Sequence, residues 1–503
     1  MPEFIKAYIV ILVLSTFAFH FAKKATAGIL SSTQFNYLKN SWLVVTSFAF
    51  LTFNFWLFLA ASCVFVAVRV KKTAQPLALY MALLTAVPPI TAAIPGFGVM
   101  NYLMQVDYLV MLSAGLLLIV YFKLKSPQPS FGRINTDVFL LCYLLVNIGL
   151  NLIGTTMTDN IRQCAVIFLT TFLPYYIISR RVQDVDHLKA VFAGFMVACF
   201  PAAVIGLFEA GKSWLLYTSI QHALNQYWQY GGYLMRDGGL RASSSFGHSI
   251  AFGFTMVIAL GFYLFVQSTI KNKFFKLAGF GIIALGLIAP LSRGPWVGAM
   301  VLVTIYLYLG RNGLSNLLKL AMGGILTLAL VLMLPIGGKV MNLLPFVGKT
   351  DSQNVDYRQQ LLDTSLIVVA KSPWFGNRNF KEAPEMKKMV QGEHIIDLVN
   401  IYVSVMLNSG YVGLFFYLGM FLTAIWAAYR AMKRIRTVHN ELFQIGRSLI
   451  SSILAVMFMI AAMSDTLIIP YLYYMLIALC VAYSQIVKKV LLLESLPTQP
   501  VPT

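Results

Sequence analysis

Runs of about twenty apolar residues recur along this 503-residue chain, and nothing else in it constrains the fold so strongly. In hydrocarbon a backbone must satisfy its own hydrogen bonds, so spanning segments are helices or closed barrels. The runs are continuous and do not alternate apolar with polar residues, which predicts helices. Hydrophobic residues make up 59% of the chain and charged ones 11%, and no stretch reads as a separate soluble domain. The expected fold is all-α, a polytopic helical membrane protein with about fourteen transmembrane helices. The spans begin near Phe4, Trp42, Pro76, Tyr102, Asp137, Gln163, Leu188, Phe246, Phe274, Pro295, Leu317, Leu398, Arg447 and Leu467. Residues 1–493 form one membrane domain, and the proline-bearing end, 494–503, reads as a disordered tail.

The first span could be mistaken for a signal peptide, since Lys6, an apolar core and Ala25-Thr26-Ala27 follow one another. Lys23 and Lys24 directly after the core disfavour cleavage, so it is taken as a retained helix. The five cysteines lie within apolar runs, and there is no CxxC or histidine-rich metal spacing. Neither disulfides nor a bound metal is expected.

Basic residues flank the spans unevenly. Arg69 to Lys72, Lys123 to Arg133, Arg180 to Lys189, Lys271 to Lys276, Arg430 to Arg447 and Lys488-Lys489 fall on one side when fourteen spans are counted, and that side is cytoplasmic. Both termini are then inside, and Lys23, Lys24 and Lys39 form the one misplaced external cluster. The formal net charge of +20 is therefore an orientation signal, and no nucleic acid partner is implied.

The longest polar interval, 337–397, becomes a large external loop between helices 11 and 12. It contains its own amphipathic stretch, from Arg358 to the Pro373-Trp-Phe-Gly376 turn, expected to lie on the membrane surface. If the segment after it is helical, His394, Asp397, Asn400, Ser404 and Asn408 form one polar stripe, which would face protein or water and not lipid.

Three arginine motifs share the external side. Arg241-Ala-Ser-Ser-Ser-Phe-Gly247-His248 opens a span, with serine hydroxyls available as caps and a glycine that permits close backbone approach. Ser292-Arg293-Gly294-Pro295-Trp296 sets an arginine beside a helix start, where an anion is well placed. Asp356-Tyr357-Arg358 begins the loop helix. With Arg162 these could meet at one external cavity, and guanidinium forks suit diphosphate better than lysines do. Each motif has a plainer explanation: a capped helix with an interfacial arginine, a snorkelling Arg293, or an Arg358 paired with Asp351 or Asp356.

In that order, Arg241 to Gly247, Ser292 to Gly298, Arg358 to Phe380, and Asn400-Ile-Tyr402 leading to Gly410-Tyr-Val-Gly413 resemble the motifs of the bacterial O-antigen ligase and polysaccharide polymerase superfamily. The resemblance covers about residues 200–430. It implies a metal-independent, inverting glycosyltransferase at the external face of the cytoplasmic membrane, needing no cofactor. The donor would be an undecaprenyl-pyrophosphate-linked glycan and the acceptor a second glycan, with membrane lipid and other polysaccharide-export proteins as partners. Arg241 and Arg293 would neutralise the leaving diphosphate. His394 or Asp397 would deprotonate the acceptor hydroxyl, and Arg162, Arg358, Asn400 and Tyr402 would bind substrate. Ligases of the family carry a histidine directly before the asparagine of a His-Asn-x-Tyr pattern. Here that place is Val399 and the nearest histidine is His394, which favours the repeat-unit polymerases of exopolysaccharide or O-antigen synthesis over ligases that transfer glycan to a lipid core or protein.

Rival classes are weaker. Asp184-Val-Asp186 lies in a short basic connection without a nucleotide-binding fold and reads as a helix cap. No Walker loop is present. A glycan flippase would be expected to carry a two-fold repeat and mid-membrane charges, whereas Asp107, Asp159, Glu209 and Asp465 fall near the external ends of spans. A structural subunit of an export complex would tolerate Arg to Lys changes that a bidentate site would not.

Overall fold

A computed structural model describes residues 1–98, 101–123, 129–228, 232–236, 238–333, 352–390 and 396–495. The described residues are mostly helical. Among the described residues eight helices are long and apolar enough to cross a membrane, with shorter apolar helices at Tyr108–Phe122 and Gly313–Leu326. The architecture is that of a polytopic helical membrane protein, and the count of fourteen spans is not reached by these criteria.

The difference has local causes. The run near Trp42 is two helices, α2 (Ser32–Leu51) and α3 (Phe55–Lys71). Asn54 caps the second by accepting the amides of Trp56 and Leu57, and Phe53 sits at positive φ. The helix beginning at Pro76, α4 (Pro76–Leu83), stops after eight residues. A short antiparallel hairpin follows, β1 (Ala92–Pro95) with β2 (Tyr102–Val106), so the span expected from Tyr102 starts as a strand. It continues as α5 (Tyr108–Leu112), a π-helical turn and α6 (Leu118–Phe122).

The remaining helices run as α7 (Asn135–Gly154), α8 (Met157–Ile167), α9 (Leu173–Arg181), α10 (Val185–Lys212) and the short α11 (Ile220–Leu224). The ribbon β3 (Met235–Arg236) with β4 (Gly239–Leu240) then precedes α12 (Ser249–Val266), α13 (Lys273–Ile288), α14 (Arg293–Tyr308) and α15 (Gly313–Met333). Last come α16 (Ser352–Lys371), the single turn α17 (Pro384–Lys387), α18 (Ile401–Ile435), α19 (Asn440–Ile460) and α20 (Ile469–Glu494). Helices α10 and α12 are buried along most of their length and stack Phe192 on Phe262 at 4.0 Å. Residues such as Val13, Val64, Leu145 and Leu285 point outward, as expected of a surface that lipid covers.

The two ends of the bundle differ in charge. At one end Lys24 lies over the ring of Phe275, His439 meets Glu494, and Arg436 donates to the carbonyls of Gly310 and Arg311. At the other, Trp214 Nε1 donates to Glu3. The extra helix break at Phe53-Asn54 thus puts Lys24 with the other basic residues and leaves Glu3 and Glu494 at opposite ends. Both points correct the expectation from counting fourteen spans. One of the flanking cations is also internal: Arg180 is buried in an ion pair with Asp137, which also accepts from Tyr175 at 2.6 Å and from the amide of Gly132 at 3.1 Å.

The long polar interval does contain a helix. α16 buries Leu361, Ser365, Val368 and Val369 in a small second core with Met386, Met389, Val403 and Leu407. The turn after it docks into a break in α18. At Gly410, with φ 62° and ψ −164°, the helix is interrupted. The carbonyls of Pro373 and Trp374 accept from Tyr411 and Val412 at 2.8 and 3.1 Å, and Asn377 N donates to Leu407 O at 2.7 Å. The loop backbone thus takes over the hydrogen bonds that the helix gives up. A Cβ on Gly410 would come within 2.3 Å of the Trp374 backbone. We expect Gly410→Ala to lower stability by about 2–4 kcal/mol, measured as thermal unfolding of the purified protein, and to raise protease sensitivity at the 373–377 turn.

Candidate functional site

The end of the bundle opposite the basic face is assembled around Glu209, at the end of α10. Its carboxylate, fully buried, accepts the amides of Leu216 at 3.0 Å, Ser243 at 3.1 Å and Ser244 at 2.7 Å. These three bonds fix the loop after β4. The serines of that loop therefore do not cap α12. The cap is His248, whose Nδ1 accepts from Ile250 N at 3.2 Å. Gly247, at φ 77°, passes so close to Trp228 that a Cβ would meet the ring at 2.4 Å.

The same loop is strapped to the α13–α14 connection. Arg236 Nη1 donates to Leu291 O at 2.8 Å, Arg241 Nε to Pro290 O at 3.3 Å, and Ala242 N to Ala289 O at 3.2 Å. Two residues further on, Arg293 opens α14, whose start has no side-chain cap. Arg241 and Arg293, 52 positions apart by number, are thereby brought to one junction. Burial and then the neighbouring Arg236 draw the Arg241 guanidinium down to about 10, so it stays charged at neutral pH.

Asp397 belongs to the same end. Ser464, just beyond α19, donates to its Oδ1 at 2.5 Å, and Tyr357 OH reaches its carbonyl at 3.4 Å. Burial, then the charge of Arg241, push His248 down to about 4 against an opposing pull from Asp397. His248 is neutral at pH 7. With Nδ1 accepting, its proton sits on Nε2, making it a hydrogen-bond donor.

A cavity of about 340 Å³ lies beside this group, lined by Arg358, Gln359, Leu398, Asn400, Val403 and Ala461 among others. Arg358 is exposed and makes no ion pair with a described residue, so the pairing with Asp356 is absent. Asn400 both lines the cavity and caps α18 by accepting from Val403 N at 3.2 Å.

Other expectations change. Residues 396–400 are not helical and α18 begins at Ile401, so Asp397 and Asn400 do not continue a helical stripe with Ser404 and Asn408. His394 lies outside the described residues, as do residues 496–503 of the expected tail. Arg162 is engaged elsewhere: it pairs with Asp159 at 2.5 Å and donates to the carbonyls of Leu103 and Tyr102, pinning the β1–β2 hairpin to α8. Tyr402 donates to Met457 O at 2.8 Å and fastens α18 to α19. Both have their polar groups occupied in holding the fold.

Sequence reasoning gave no role to Glu209, Arg236, His248 or Ser464. A second basic group, Arg378, also escaped notice. It donates to the carbonyl and Oδ1 of Asn147 on α7 at 2.7 and 3.0 Å, and burial lowers it. Asp465, beside Ser464, accepts from Tyr473 OH at 3.3 Å, and burial pushes its carboxyl up to about 6.

The family model described as O-antigen ligase matches residues 278–418. The matched stretch runs from within α13 to within α18 and includes Arg293, Arg358, Asp397, Asn400 and the Gly410 break. Arg241, His248 and Ser464 come from flanking segments. No match is found among curated proteins. Among the described residues no group of His, Cys, Asp and Glu could hold a metal ion.

A histidine whose folded pKa lies below its usual value stabilises nothing by charging; its neutral form is favoured in the fold, so stability is full above about 6.5 and falls as pH drops towards about 4. Relative to His248→Gln, the wild type should lose up to about 3 kcal/mol across that interval, read as the difference between their unfolding midpoints at pH 7 and pH 4.5.

Proposed function

We propose that this protein polymerises lipid-linked oligosaccharide repeat units into a surface polysaccharide at the external face of the bacterial cytoplasmic membrane. The donor is a glycan on undecaprenyl pyrophosphate, and the transfer is inverting and independent of metal. The observation that supports this most is the strapping of residues 236–242 onto 289–291, which sets Arg241 beside the Arg293 helix start at the less basic end of the bundle. Positive charge gathered at a helix start is what a diphosphate leaving group requires.

In the proposed reaction an acceptor hydroxyl attacks the anomeric carbon of the donor sugar. The bond from that carbon to the diphosphate oxygen breaks, and its electron pair leaves with the diphosphate, whose charge Arg241 and Arg293 receive. The hydroxyl proton passes to Asp397, which Ser464 orients; His394 is the alternative base. Arg358 and Asn400 hold sugar in the cavity they line.

A second reading, transfer to a lipid core or protein acceptor, is favoured by the family description of residues 278–418. Val399 in place of the ligase histidine weighs against it.

Removal of one anion-stabilising donor typically lowers rate on the order of 10²–10³. Arg293→Ala should do so, and Arg241→Lys should lose most activity because a lysine lacks the guanidinium fork. The measurement is chain length and amount of glycan made by purified protein from lipid-linked repeats, with variants matched for protein level. Wild-type product from Arg293→Ala would remove that residue from the mechanism. Transfer to a lipid core without chain growth would favour the ligase, and translocation without a new glycosidic bond would favour a flippase.

A further inference from the structure

The basic end of the bundle holds a second cavity, of about 200 Å³, between the α14–α15 turn and the start of α19. Its polar lining is Arg311, Asn312, Asn316, Asn440, Gln444 and Arg447, and no carboxylate is among its lining residues. Every one of these side chains carries N–H donors.

Helix geometry explains why they converge. Asn440, Gln444 and Arg447 follow one another at steps of four and three on α19 and share one face. No side chain caps the start of α19, and α15 begins at Gly313, directly after Asn312. Two helix starts therefore point their positive dipole ends at the cavity.

Arg447 supplies the independent observation. It is 7% exposed and sits over the ring of Tyr306 at 4.0 Å. Nε and Nη2 donate to the Tyr306 carbonyl at 3.1 and 2.5 Å, and Nη1 to Gln444 Oε1 at 2.8 Å. All these acceptors are neutral, and Arg447 forms no ion pair among the described residues. A buried cation without counter-charge is costly, and the cavity is where a counter-charge fits. Arg436, whose Nη2 donates to the carbonyls of Gly310 and Arg311 at 3.1 and 3.2 Å, brings a third guanidinium to the turn.

We propose that this cavity binds a phosphate group, carried by the headgroup of an acidic phospholipid or free in the aqueous phase. The site is distinct from the arginine cluster at the opposite end and does not depend on the glycan reaction.

The test uses the full-length protein, purified and reconstituted with phosphatidylglycerol or with phosphatidylcholine, and native mass spectrometry of retained lipid. Wild type should retain phosphatidylglycerol about tenfold or more in preference, and Arg311→Gln and Arg447→Lys should each reduce that preference about tenfold, the loss expected for one charge-assisted hydrogen bond. In a parallel arm, millimolar inorganic phosphate is added to lipid-free protein and unfolding is followed. Stabilisation of wild type but not of the variants, with no lipid preference, assigns the site to free phosphate. Should Arg447→Lys fail to fold, the exposed Arg311→Gln decides alone. A lipid preference that both variants keep, or no response to either probe, overturns the proposal.

Discussion

Three backbone amides converge on one buried carboxylate, and the arginine end of the molecule depends on that contact. Glu209 reaches from the last turn of α10 to Leu216, Ser243 and Ser244. It thereby holds a loop whose Ser244 sits at positive φ. A backbone so placed has little alternative hydrogen bonding, since both serines are buried, and removing the acceptor would leave amides unsatisfied in a region with little water. From that anchor the chain runs back through Ala242 and Arg241 to the 289–291 turn. The position of Arg241 relative to Arg293 is thus set by a residue that touches neither.

The segment from α16 to α18 meets the same demand by other means. Its α18 is broken at Gly410, and the Pro373–Asn377 turn supplies the missing partners. This locks the segment bearing Arg358 to the helix that Asn400 caps, which fixes the cavity between them. Both devices put irregular backbone against protein, as a bilayer requires. Both place a basic side chain within a few residues of it.

Helix positions were legible in the sequence because continuous apolar runs have few other solutions in lipid. The break at Phe53-Asn54 was not, because Thr52-Phe53-Asn54 interrupts its run by only a few polar atoms. That one break reverses the N-terminal helix and returns Lys24 to the basic face. Arg241 and Arg293 stood out in the sequence as motifs shared with a family. Engagement of Arg162 and Tyr402 in the fold was not legible, since their donors go to the carbonyls of Tyr102, Leu103 and Met457, and carbonyl positions leave no mark in side-chain identity. Glu209 lies 34 positions from Ser243 by number, and only the fold makes them neighbours.

The central claim is that guanidinium groups from two separate segments hold a polyprenyl diphosphate. Binding of undecaprenyl pyrophosphate and of uncharged undecaprenol to the purified protein, compared in the same lipid nanodiscs, tests it most directly. The account expects the diphosphate to bind roughly a hundredfold more tightly, with the advantage gone when Arg241 and Arg293 are both alanine. Equal affinity for the two lipids in the wild-type protein would contradict it.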